Sequence, residues 1–120
     1  MKIGTDITVV SRLENSIKKF GAKFLDRFLS QEEQKKLSQK PQSIAGYWAA
    51  KEAVSKALGC GIGSELGFHD IIIYKDEKGV PLFKLSSKAQ EIHNIKSSSL
   101  SIAHDGGFAI AIAIVTQKEA

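Results

Sequence analysis

The chain is poor in the residues that cross-link, span or subdivide a protein. Its only cysteine is Cys60. A single thiol excludes an internal disulfide and a cysteine-based zinc site, and it fits a reducing cytoplasm. Proline occurs only at Pro41 and Pro81. No linker, internal repeat or low-complexity tract divides the chain, so residues 1–120 read as one domain. No apolar run approaches the roughly 20 residues of a membrane span. The opening Met1-Lys-Ile-Gly-Thr-Asp6 turns polar too soon for a signal peptide. There is no P-loop, no His-Glu-x-x-His and no nucleophile elbow. Gly59-Cys-Gly-Ile-Gly63 follows a helical pattern instead of opening one, so it is no dinucleotide fingerprint.

What is present is ordinary in amount and unusual in placement. Forty-two per cent of the residues are hydrophobic, enough at this length for one core without staples. The formal charge of +4 favours phosphates, nucleic acid or an acidic protein as partner, although many small domains carry as much for solubility alone.

The stretch from Tyr47 to Gly63 reads as a helix ended by Gly59, Gly61 and Gly63. Tyr47, Ala50, Ala53, Val54, Ala57 and Leu58 lie on one side, and Ala45, Trp48 and Ala49 on the other. A helix apolar nearly all round is a buried one. Glu52 and Lys56 share the second side, four residues apart, and charges in such surroundings need partners.

Around this helix, residues 2–10 read as a strand, with Ile3, Ile7 and Val9 on one face and Gly4, Asp6, Thr8 and Val10 on the other. Ser11 and Glu14 have capping-box spacing ahead of a helix with Leu13, Ile17 and Phe20 as its apolar stripe. A short helix covers about 23–28. Ser30 and Glu33 form a second capping box, for a polar helix to about Leu37. A loop is expected over 39–43. Later come a strand over 68–74 buried on both faces, a turn at 76–79, and a partner strand over 80–85 with Pro81 at its start or edge. A helix from Ser86 to about His93 should turn Ala89 and Ile92 inward. Strands over 98–104 and 108–115 should meet at Asp105-Gly-Gly107. In the last strand, Ala109, Ala111 and Ala113 make a small-residue face for close approach of the central helix or of a second subunit. The expected class is α+β, an antiparallel sheet packed on a long central helix.

Three polar groups stand in apolar or strand-like surroundings: Asp6, the pair Glu52 and Lys56, and His104. Two carboxylates from distant segments can hold magnesium against a phosphate, with the lysine as a point charge on the phosphate oxygens. The competing reading makes Glu52 and Lys56 a plain helical ion pair worth about 0.3–0.5 kcal/mol, and His104 a backbone-bonded strand end.

Four fragments then carry a resemblance over nearly the whole chain. They are Gly4-Thr-Asp-Ile7, Ala49-Ala-Lys-Glu-Ala-Val-Ser-Lys-Ala-Leu-Gly59 followed by Gly61 and Gly63, Asp70-Ile71 with Gly79 and Pro81, and Ser101-Ile-Ala-His104. In this order and spacing the chain resembles the holo-acyl-carrier-protein synthase family of small bacterial phosphopantetheinyl transferases. The resemblance implies the 4'-phosphopantetheinyl transferase fold, usually trimeric with active sites between subunits. It implies transfer of the phosphopantetheine arm of coenzyme A to a serine of an apo acyl carrier protein, with release of adenosine 3',5'-bisphosphate, in fatty acid biosynthesis in the cytoplasm. Asp6 and Glu52 match the family's magnesium ligands, and Lys56 matches the lysine at the transferring phosphate. His104, Gly59, Lys40 and the Gly79–Pro81 turn match positions around coenzyme A. Arg12, Lys23 and Arg27 match basic positions that would dock the acidic carrier protein; each could equally be solvated surface charge. Tyr47 stands where the family often has arginine, and Ala103 where it often has a hydroxyl residue. Without ligand, Glu52 and Lys56 are expected to pair with each other.

Two rival readings remain. A basic nucleic-acid module would need aromatics exposed beside its lysines, whereas most of the nine aromatics here fall at core-periodic positions. A non-catalytic trimeric scaffold would not bind coenzyme A. The reading adopted is the transferase, with neither nucleic acid nor membrane as partner.

Overall fold

The computed structural model describes residues 1–119. Its elements are β1 (Lys2–Val9), α1 (Val10–Phe20), α2 (Ala22–Phe28), α3 (Gln31–Lys36), α4 (Pro41–Ala57), a 3-10 turn (Phe68–Asp70), β2 (Ile71–Lys75), β3 (Pro81–Leu85), α5 (Ser87–His93), β4 (Ile95–Asp105) and β5 (Phe108–Gln117). One antiparallel sheet runs β1-β5-β4, and β2 and β3 form a separate hairpin. The α+β class and the long central helix are as expected.

The central helix is more deeply buried than its charges alone would suggest: 11 of the 17 residues of α4 are buried. One side lies on β1 and β5. Ala109, Ala111 and Ala113 are fully buried there, so the small-residue face receives the helix, not a second subunit. Gly4 makes the approach closer still. A methyl group at Gly4 would sit 2.0 Å from the Ala53 carbonyl oxygen and 2.4 Å from the Ala57 nitrogen. Only a residue without Cβ lets β1 rest directly on the helix backbone. On the other side, Trp48 packs with Phe24, Phe28 and Phe68 at centroid separations of 5.0–5.9 Å from Phe24 and Phe28 and 4.8 Å from Phe68. This cluster fixes α2 and the 3-10 turn to α4.

Several boundaries differ from the sequence reading. Helix α1 begins at Val10, and Ser11 caps nothing. The strand runs straight into the helix, and Val10 N–H donates to the Gly107 carbonyl at 2.9 Å, so the neighbouring β-turn takes over the capping role. Pro41 is not in a loop but in the first turn of α4, where its missing N–H costs nothing. Phe68–Asp70 is a 3-10 turn held by Asp70 accepting from Gly67 N–H. The strand after it buries Ile71 and Ile73 but leaves Tyr74 exposed, because only one face of the two-stranded hairpin is covered. Helix α5 turns His93 inward and leaves Ile92 exposed. Phe20 is exposed as well, at the end of α1. The capping box at Ser30 and Glu33 is present in both of its hydrogen bonds.

The outer face of the three-stranded sheet is apolar and uncovered. Ile3, Ile7, Phe108, Ile110 and Ile112 are 42–63% exposed there.

Candidate active site

Asp6 lies on the inner face of β1, opposite Ala111 of β5. The close seat at Gly4, two residues earlier on that face, brings Asp6 against the C-terminal half of α4. Thr8 Oγ1 donates to Asp6 Oδ2 at 2.7 Å, and Lys56 Nζ lies 3.0 Å from Asp6 Oδ1. The expected Glu52–Lys56 pair does not form; Lys56 pairs with Asp6 instead. The lysine goes to the carboxylate already fixed by Thr8 and 87% shielded from water, where its charge is screened least. Glu52 is left with its carboxyl pushed up, by burial first and by the Asp6 charge second, with Lys56 drawing it partly back.

Asp6 and Glu52 open onto a cavity of ≈ 330 Å³ also lined by Thr8, Arg12, Phe24 and Trp48. The donor set is all oxygen and comes from two distant segments. It fits magnesium, which binds through one or two carboxylates and leaves positions for phosphate and water.

A second cavity, of ≈ 150 Å³, collects His104, Gly79, Pro81, Tyr47, Lys75 and Ile102. His104 shares the inner sheet face, opposite Ala109, and Gly79 turns with φ of 84°. Tyr47 lines this same cavity; burial and then the Glu33 charge push its phenol up, so it stays neutral. Ala103 is opposite Ile110 on the outer face, where a hydroxyl would point away from this cavity. The sequence-predicted residues thus fall into two groups, Asp6, Glu52, Lys56 and Arg12 in one, and His104, Gly79 and Pro81 in the other. Lys40 stands exposed at the N-cap of α4 and lines neither cavity. Gly59 lines neither as well; its φ of 83° ends the helix one turn after Lys56.

Lys23 and Arg27 line an apolar groove of ≈ 210 Å³ with Phe20 and Phe24. Phe24 also borders the Asp6 cavity, so the basic groove and the acidic cavity adjoin.

Sequence reasoning missed the buried ion pair beside the site. Lys51 Nζ is wholly enclosed and donates to Glu33 Oε1 at 2.9 Å, to the Phe28 carbonyl at 2.6 Å and to the Phe68 carbonyl at 3.2 Å. Glu33 in turn accepts from Ser30 N–H and Ile73 N–H. Burial pulls the Lys51 ammonium down and Glu33 opposes it. The available signal was Lys51 itself, a charge inside an alanine-rich run.

Comparison with known proteins identifies the family. The family model of the 4'-phosphopantetheinyl transferase superfamily matches residues 2–113. A holo-[acyl-carrier-protein] synthase of Sulfurovum sp. is 53% identical over 115 residues, covering 96% of each chain. The crystal structure of Helicobacter pylori holo-[acyl-carrier-protein] synthase in complex with coenzyme A superposes with a TM-score of 0.92 at 51% identity, over 95% of this chain and 99% of that one. The Neisseria meningitidis holo-[acyl-carrier-protein] synthase gives 0.88 at 34% identity, over 97% and 98%. With a matched family model over almost its full length and relatives above half identity, this chain belongs to the 4'-phosphopantetheinyl transferase superfamily.

Proposed function

We propose that this protein is a magnesium-dependent holo-acyl-carrier-protein synthase that serves fatty acid biosynthesis in the cytoplasm. The observation that carries this reading is the cluster of Asp6, Glu52 and Lys56: two carboxylates from distant segments beside one cavity, with a half-exposed lysine at their edge. The serine hydroxyl of the carrier protein gives up its proton, in the end to solvent, and its oxygen forms a bond to the pantetheine-side phosphorus of coenzyme A. The pyrophosphate P–O bond breaks, and adenosine 3',5'-bisphosphate leaves with the bonding pair. Magnesium, when bound, supplies charge neutralisation on the two phosphates.

The chain's own residues do the rest by positioning. Asp6 and Glu52 hold the cation. Lys56 releases Asp6 and turns to the phosphate oxygens, a short swing for a side chain 51% exposed. No nucleophile is required of this chain, because the serine arrives on the partner. Arg12 at the mouth, with Lys23 and Arg27 along the adjoining groove, meets the acidic carrier protein and raises its rate of association. His104, Gly79 and Pro81 serve the nucleotide end of coenzyme A.

The separation of the two cavities supports a trimer with active sites between subunits. One protomer then supplies the Asp6 cavity and its neighbour the His104 cavity. The uncovered isoleucine face is apolar enough to be buried between them. Mass spectrometry of apo carrier protein incubated with coenzyme A tests the reading: the phosphopantetheine adduct should form with magnesium and fail to form with a chelator. Adduct formation at equal rate in both would refute the metal assignment.

A further inference from the structure

Outside this site, three metal-ligating side chains converge at the far end of α4. Cys60 sits between Gly59 and Gly61, whose φ of 83° and 66° fold the loop back on the helix end. Gly61 N–H donates to the Ser55 carbonyl at 3.2 Å. Glu65 follows on the same loop, and His93 comes from the last turn of α5. Their ligand atoms all lie within 4.8 Å of one another.

His93 makes this more than a chance gathering. It is 6% exposed, and its Nε2 has no hydrogen-bond partner among the described residues. Glu65 Oε2 lies 3.8 Å from that nitrogen, beyond hydrogen-bond reach. Leaving a buried ring nitrogen unsatisfied is costly, and here it faces a carboxylate and a thiol. The backbone of His93 is anchored, since Gln117 Nε2 donates to its carbonyl at 2.8 Å.

We propose that Cys60, Glu65 and His93 form a binding site for a zinc-class divalent cation, with three protein donors and one position left to water. Sulfur, nitrogen and oxygen together select a borderline ion over magnesium. In a tetrahedral site of this kind neighbouring ligand atoms stand roughly 3.5 Å apart. The His93–Glu65 separation is already close to that, and the accessible Cys60 and the half-exposed Glu65 side chain have freedom to close the rest. The single-cysteine argument excludes sites that need several thiolates, and a mixed donor set escapes it. Bound there, the ion would tie the loop that follows Lys56 to α5, independently of the transferase reading.

Cobalt titration of metal-stripped protein in magnesium-free buffer tests this, because a thiolate–cobalt charge-transfer band reports Cys60 directly. One equivalent should saturate the band, Cys60→Ser should abolish it, and Asp6→Ala should leave it unchanged. Glu65→Gln and His93→Gln should each weaken cobalt binding roughly tenfold or more. Zinc should displace cobalt and raise the unfolding midpoint of the wild type but not of Cys60→Ser. His93 is buried, so circular dichroism checks its variant, and Glu65→Gln provides the same test from the surface. Absence of the band at millimolar cobalt would overturn the proposal. So would a band that Glu65→Gln leaves at full affinity, since the thiol would then be binding alone.

Discussion

Helix α4 carries two lysines five residues apart, each about 3 Å from a carboxylate, and they have opposite characters. Lys51 spends all three of its protons, on Glu33 and two backbone carbonyls, with no access to water. Lys56 has one carboxylate contact, to Asp6, and half of its side chain is open. The first pair is closed: all three lysine protons are used, and both oxygens of Glu33 accept hydrogen bonds. The second is incomplete, and the carboxyl of Glu52 beside it is pushed up by burial first and by the Asp6 charge second. A buried ion pair is therefore no sign of a site; an unfinished one is. Both contacts look alike as distances, and the number of groups still unsatisfied tells them apart.

The comparison can be broken from either end. The largest effect is expected at the closed pair. Lys51→Ala should cost about 3–5 kcal/mol of stability in denaturant titration, because Glu33 stays buried without its partner. Turnover per folded molecule should hardly change. An unaltered unfolding midpoint would mean that water reaches Glu33. Next, Asp6→Ala or Glu52→Ala should lower transfer on the order of 10³-fold while the protein stays folded. Lys56→Ala should lower turnover on the order of 10²-fold. Its effect on stability should stay within about 1 kcal/mol, as for exposed ion pairs generally. Equal losses of stability at Lys51 and Lys56 would erase the distinction drawn between them.

The smallest effect is expected at a third carboxylate, Asp70, which is satisfied but lies nearer the surface. It accepts from Ser86 Oγ at 2.6 Å and from Gly67 N–H at 2.9 Å. These bonds, the hydroxyl first, hold its carboxyl below the usual 3.8. The folded state thus binds this proton less readily than the unfolded chain. The contribution is present above pH 3.8 and is lost as pH falls through the lower folded value. Asp70→Asn should lower stability slightly at neutral pH and converge with the wild type in acid, which flattens the acid limb of the stability curve. An unchanged acid limb would show that these bonds do not favour the ionised form.

The same comparison shows what the sequence could and could not reveal. Periodicity found α4, its burial and the alanine face that receives it. Asp6 and Glu52 stood out because a carboxylate in a strand, and another on an apolar helix, are both costly without partners. The direction of Lys56 could not be read, because an i,i+4 neighbour and a residue 50 positions away compete on geometry that only the fold supplies. Lys51 was passed over because its partner, Glu33, already had an explanation as a capping-box residue; one side chain does both jobs. The two cavities were not separable either. Asp6 and His104 lie on different strands with β5 between them, and chain order carries no hint of that spacing. Gly4 was visible as part of a motif, but its reason, a helix backbone 2.0 Å from where a methyl group would be, belongs to packing alone.

Calorimetry of coenzyme A binding, with and without magnesium, tests most directly whether the unfinished pair is where metal and phosphate go. Wild-type protein should bind coenzyme A markedly more tightly with magnesium present, and Asp6→Ala should bind with one affinity in both conditions. Equal affinity with and without magnesium in the wild type would contradict the account, and would leave Lys56 and Asp6 as a surface salt bridge.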